Sequence, residues 1–173
     1  MQRKAATTLA AVAAALIAGS CATTGPRDYR ATAALQATTG NSTTGTVTFL
    51  QRGEKVFVYA DVRGLKPNAE HGFHVHEKGD CSSGDGMSAG GHFNPDSAVH
   101  GAGAGHAGDM PNLKADAGGN AHVSFEMKKM TVAVGQFSIV GKGLIIHRDP
   151  DDYKTQPTGN AGPRLACSVI AAN

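Results

Sequence analysis

Along most of the chain, apolar residues fall in short runs or alternate with polar ones, a two-residue period that places one side chain on each face of an extended strand. Seven such stretches stand out: Tyr29 to Ala37, Gly45 to Gln51, Lys55 to Val62, Ala69 to His76, Ala121 to Glu126, Lys142 to His147 and Leu165 to Ile170. Turn dipeptides separate many of them, among them Gly40-Asn41, Arg52-Gly53, Pro67-Asn68 and Gly118-Gly119. No stretch beyond the first twenty residues carries a convincing amphipathic helix. The pattern predicts an all-β fold, a Greek-key β-sandwich or barrel of about eight antiparallel strands, with long loops between some of them.

Candidate chemistry gathers in three separate stretches that must converge in space. Two histidines alternate in Phe73-His74-Val75-His76, so both imidazoles project from one strand face as a two-toothed chelate. An HxH pair also occurs in cupins, but the glutamate spacing here does not fit that pattern. His92, His100, His106 and Asp109 lie in a run rich in glycine, alanine and proline that cannot hold regular structure but can bend around an ion. Three imidazoles with one carboxylate suit tetrahedral zinc. His147 closes the apolar run Leu144-Ile145-Ile146, as a strand-end residue would. Taken alone, each group has a bland alternative, a solvated strand face or a flexible surface loop.

The ordered motifs GFHVHE, SAGGHFNP, HAGD, GLIIHRDPDD and GNAGPRLAC resemble those of the bacterial copper-zinc superoxide dismutases, over about Tyr29 to Ile170. The resemblance implies one copper per subunit on His74, His76, His92 and His147, and one zinc on His92, His100, His106 and Asp109, with His92 bridging. All-imidazole ligation suits copper, so donor chemistry agrees with that division. Asp151 matches the aspartate that links a copper histidine to a zinc histidine. Arg164 matches the arginine that holds the anion, and Cys81 and Cys167 match the intrasubunit disulfide. The implied reaction turns superoxide into dioxygen and hydrogen peroxide as copper is alternately reduced and reoxidised, with His92 taking up and returning a proton. His71 matches a histidine that ties strands together, and His122 matches no functional position. Three departures accompany the match: His100 and His106 are closer in sequence than is usual, Ser168 replaces a glycine, and Met87 stands where relatives often carry lysine. Lys154 is the nearest basic substitute. A noncatalytic copper-binding protein of the same fold would lose Arg164 or part of the copper set, and a purely structural sandwich would need none of these ligands.

Residues 1–20 read as an export signal: a positive start at Arg3 and Lys4, then an apolar run from Ala5 to Ala18 too short to span a bilayer. Ala18-Gly19-Ser20-Cys21 resembles a loose lipobox that lacks the usual leucine at Ala18, which predicts lipidation at Cys21, with ordinary signal cleavage near this point as the alternative, then a tether through residue 28 and one domain over residues 29–173. Such a chain would sit in the periplasm, anchored to the outer membrane by that lipid alone. Arg3 and Lys4 are two of the 16 basic residues and none of the 14 acids precedes Cys21, so the remainder is balanced. Nothing in that balance suggests nucleic acid or a polybasic membrane patch, and any attraction of superoxide must be local. The resemblance leans toward a homodimer.

Overall fold

A computed structural model describes residues 28–101 and 105–173. The export signal, the lipobox cysteine and nearly all of the tether lie outside them. The strands are β1 (Tyr29–Ala37), β2 (Thr44–Arg52), β3 (Lys55–Arg63), β4 (Glu70–His71), β5 (Phe73–His76), β6 (Leu113–Lys114), β7 (Ala121–Met127), β8 (Gly143–His147), β9 (Arg164–Val169) and β10 (Ala171–Ala172). Among the described residues, a single 3-10 turn spans Met87–Ala89. Among the described residues, no helix is long and apolar enough to cross a membrane.

Seven strands lie in the order β5-β8-β9-β1-β2-β3-β7, with β10 added to β1, and every pairing between them is antiparallel. β1 to β3 form a meander whose β2–β3 hairpin turns at Gly53, held at φ 59° where a side chain would be strained. From β3 the chain crosses to β5 at one end of the sheet, returns to β7 at the other, and crosses back to β8. These are the Greek-key crossovers of the expected all-β barrel. In β3 the alternation is complete: Val56, Val58, Ala60 and Val62 are buried, while Lys55, Tyr59, Asp61 and Arg63 are exposed. The sheet curls so that its two ends face one another, and Phe73 of β5 meets Phe125 of β7 edge to face, ring centroids 6.4 Å apart.

One expected strand, Ala69 to His76, is in fact two. β4 pairs with β6, whereas β5 pairs with β8, and the chain breaks between them at Gly72. Gly72 donates to the Asp149 carbonyl and accepts from the His147 amide, and a Cβ there would lie 2.8 Å from the Ala161 methyl, so only glycine fits. The short β6 and β10 were not expected from the pattern; two residues are too few to show a period.

Candidate metal centre

β5 is an end strand, and such a strand presents unpaired amides and carbonyls. The long segment from Glu77 to Asn112 folds back along this free edge. Val75 donates to the Gly108 carbonyl at 3.0 Å, Phe93 donates to Val75 at 2.8 Å, and Glu77 donates to Gly91 at 2.9 Å. These bonds set His92 beside His76 and Asp109 beside His74. Because Phe73 and Val75 point into the core, His74 and His76 point to the opposite face, where the folded-back segment buries them completely. His147 arrives from the next strand, at a break in register between Ile146 and His147 that opposes it to Arg164.

All seven expected ligand residues come together, in two groups that share one member. One donor atom from each of His74, His76, His92 and His147 lies within 4.8 Å of the others, and the same holds for His92, His100, His106 and Asp109. The hydrogen bonds of the rings decide which nitrogens are free. His76 Nδ1 donates to the Gly90 carbonyl at 2.9 Å and His147 Nδ1 to the Gly162 carbonyl at 3.1 Å. In those tautomers the two Nε2 atoms, 3.3 Å apart, oppose lone pair to lone pair, an arrangement that a cation between them makes favourable. His74 turns Nε2 to Asp151 at 2.9 Å and leaves Nδ1 buried without a partner. His92 turns Nδ1 to Asp109 at 2.8 Å and leaves Nε2 unpartnered, so its two ends face the two groups. His100 Nδ1 and His106 Nδ1 lie 2.8 and 3.3 Å from Asp109 oxygens but make no hydrogen bond, so these donors converge on a point and not on one another. Unsatisfied buried donor atoms of this kind fit two metal ions, one held by four imidazoles and one by three imidazoles and a carboxylate.

Electrostatics keep the donors available. Burial lowers the pKa of His74 to about 4 and that of His147 to about 3, and it holds His76 well below the usual histidine range. The rings are therefore neutral near pH 7, with lone pairs free for a metal. Burial pushes the Asp151 carboxyl up, but hydrogen bonds from His74, the Tyr153 amide and His100 outweigh it and hold the group ionised. Asp151 thus spans the two groups, 2.9 Å from His74 Nε2 and 2.9 Å from His100 Nε2. A Cβ at Gly159 would overlap the Asp151 carboxylate and stand 2.7 Å from His100 Nε2, so this glycine lets the second loop, residues 148–163, close over the link.

Arg164 is half-buried at the start of β9. Its two terminal nitrogens donate to the carbonyls of Gly86, at 2.7 Å, and Gly90, at 2.6 Å, on either side of the 3-10 turn. The same turn rests on the Cys81–Cys167 disulfide, whose sulfurs pack with Ala89 and Ile145. Sequence reasoning missed these carbonyl anchors, and also Asn112, whose side chain holds both backbone groups of Asp151. The double glycine of SAGGH was the available signal for the first; nothing marked the second. His71 is buried and donates from Nδ1 to the His147 carbonyl at 2.9 Å, tying strands as expected. His122 is exposed beside Asp61, apart from the metal groups. Met87 and Lys154 are exposed, and Ser168 is buried opposite Leu144 on the strand pair β8–β9.

A Greek-key barrel carrying two histidine-rich donor sets that share one imidazole, with an arginine fixed beside the all-imidazole set, defines a two-metal redox protein. Residues 43–170 match the family model for copper/zinc superoxide dismutase. The chain is 41% identical to superoxide dismutase [Cu-Zn] 2 of Aquifex aeolicus, over 83% of this chain and 88% of that one. It is 43% identical to the superoxide dismutase [Cu-Zn] of Saccharomyces cerevisiae, over 73% and 88%. Among solved structures it resembles the clock protein EA4, with TM-score 0.74 and 38% identity over 82% of this chain and 93% of that one. It also resembles a double mutant of a SOD-like protein from Bacillus subtilis, with TM-score 0.73 and 35% identity over 81% and 96%. The chain belongs to the copper/zinc superoxide dismutase family. That membership fixes an oxidoreductase class with copper and zinc as cofactors.

Proposed function

We propose that this chain dismutates superoxide to dioxygen and hydrogen peroxide, with copper held by His74, His76, His92 and His147 and zinc held by His92, His100, His106 and Asp109. The observation that carries the reading is the shared His92, with one ring nitrogen against Asp109 and the other buried and free. Copper, when bound, supplies a one-electron couple that superoxide can both reduce and reoxidise. The residues supply the rest. Arg164 spends two of its five N–H donors on Gly86 and Gly90, which leaves the others to hold a small anion. His92 Nε2 is the atom that holds a proton between the two half-reactions, and Asp109 fixes the ring that carries it. Asp151 orients His74 and His100 together, so neither donor set can rotate without the other. The burial of all six imidazoles excludes bulk water from the donors.

The test is superoxide consumption by the copper- and zinc-loaded protein, measured by pulse radiolysis. His92→Ala should nearly abolish dismutation and impair zinc retention, while His122→Ala does neither. Equal losses in the two variants would overturn the ligand assignment.

The same reading places the protein in the periplasm as a homodimer, lipidated at Cys21 and anchored to the outer membrane, where it protects the envelope from superoxide. Support comes from the apolar run before Cys21 and from the Cys81–Cys167 disulfide, which persists in an oxidising compartment. The mass of the mature chain tests the anchor, because an unlipidated chain starting elsewhere would overturn it. Light scattering tests the dimer, which a monomeric mass would overturn.

A further inference from the structure

We propose that Gln156 is a positioning residue for zinc: its side chain clasps the backbone of His100 and so aims that ligand. This rests on the assignment of His100 to zinc made above. Gln156 Nε2 donates to the His100 carbonyl at 2.8 Å, and Gln156 Oε1 accepts the His100 amide at 2.9 Å. One carboxamide therefore closes both backbone groups of a single ligand residue, as a partner strand does in an antiparallel pair. Among the described residues, no other side chain bonds to the backbone of His100.

The need for an outside clasp is written in the sequence. Residues 101–105, between His100 and His106, are Gly-Ala-Gly-Ala-Gly, with no side chain able to accept or donate a hydrogen bond. No side chain between the two ligands can therefore hold the His100 backbone, and a side-chain anchor must come from elsewhere. The second loop supplies what the first lacks. It also receives the converse: Asn112 Nδ2 donates to the Asp151 carbonyl at 3.0 Å, and Asn112 Oδ1 accepts the Asp151 amide at 2.9 Å. Each loop thus carries one amide side chain that clasps a metal-centre residue of the other, and the two clasped residues meet where Asp151 Oδ1 lies 2.9 Å from His100 Nε2. Gln156 is itself exposed and touches no ligand atom. It acts through the backbone of His100.

The experiment follows zinc release from the copper- and zinc-loaded protein to a chromophoric chelator, with the visible spectrum of protein carrying cobalt(II) in place of zinc as a second readout. Gln156→Ala should speed zinc release about 10-fold, as loss of a residue supporting a ligand does, and should shift the cobalt bands. Gln156→Glu keeps the acceptor for the His100 amide and loses the donor to its carbonyl, so it should fall between Gln156→Ala and wild type. Thr32→Ala, which removes an exposed bond to the Asn173 side chain on the β1–β10 pair, away from both loops, should match wild type. Wild-type release with unshifted bands in Gln156→Ala, where His100→Ala does lose zinc, would overturn the clasp and leave the zinc assignment standing. Faster release with unshifted bands would also overturn it, because that marks a loosened loop and not a re-aimed ligand. Zinc held normally by His100→Ala would instead overturn the assignment on which the proposal rests.

Discussion

Replacing Arg164 with isoleucine removes a charge and two anchors at once. The guanidinium is half-buried, and burial lowers its pKa from the usual value, against the pull of Asp85; a guanidinium stays charged even so. Its field already reaches the copper-side rings, because it is one of the charges that lower the pKa values of His76 and His147. A superoxide about 4 Å from a unit charge gains about 1 kcal/mol in water and about 4 kcal/mol at an effective dielectric of 20. A half-buried site lies between these, and each 1.4 kcal/mol is a factor of ten, so Arg164→Ile should slow dismutation by roughly one to two orders of magnitude. Both metals should remain bound, since no ligand hydrogen-bonds to Arg164. The formal charge is balanced beyond the first twenty residues, so little long-range field remains to compensate, and the rate should also depend less on ionic strength. Pulse radiolysis of metal-matched wild type and variant across a salt series measures both effects. An unchanged rate with an unchanged salt slope would refute the role given to Arg164.

The disulfide closes a span of 86 residues, worth about 4.6 kcal/mol in the chain-entropy model. Cys167→Ser should therefore lower the melting temperature by roughly 10 °C, as reductant should in wild type, and calorimetry showing no shift would contradict the stabilising role. The metal-free protein should lose stability as pH falls below about 6.5. In the unfolded chain His74 and His147 take up protons near 6.5, but in the fold burial delays this to about 4 and about 3, so the unfolded state binds more protons in between. By pH 5 the loss is about 2 kcal/mol for each ring, read as a lower urea midpoint than at pH 7.5, and equal midpoints would refute it. Asp151→Asn should weaken zinc binding about 10- to 100-fold, because the ionised carboxylate that aligns His74 and His100 is lost; a chelator competition giving wild-type affinity would argue against the link.

The barrel was legible because half-buried strands announce themselves by alternation. β3 runs Lys55–Arg63 where Lys55 to Val62 was read, and β2 runs Thr44–Arg52 where Gly45 to Gln51 was read. The break at Gly72 was not legible, since it depends on which strands lie to either side. The ligands were legible because imidazoles in ordered motifs have few other uses. What His76 and His147 do with their second nitrogens was not, because those partners are the backbone carbonyls of Gly90 and Gly162, and any residue type carries a carbonyl; Asp151, the partner of His74 and His100, stood in a motif and was legible. Gln156 and Asn112 escaped notice for a related reason: an exposed or half-exposed amide in a loop looks the same in sequence whether it meets water or a neighbouring backbone.

Three of the four imidazoles around the copper position sit on strands, His74 and His76 on β5 and His147 on β8, whereas all four zinc donors lie outside the named strands. The two halves of the centre are thus built from materials of unequal stiffness. The barrel fixes most of the redox cradle before any ion arrives, so copper affinity carries little ordering cost. Zinc affinity depends instead on how well the loops are held. Substitutions in these loops can accordingly tune zinc retention over a wide range while leaving most of the redox cradle nearly unchanged, and His92, with the Asp151 link between His100 and His74, is where such drift is transmitted to the catalytic half.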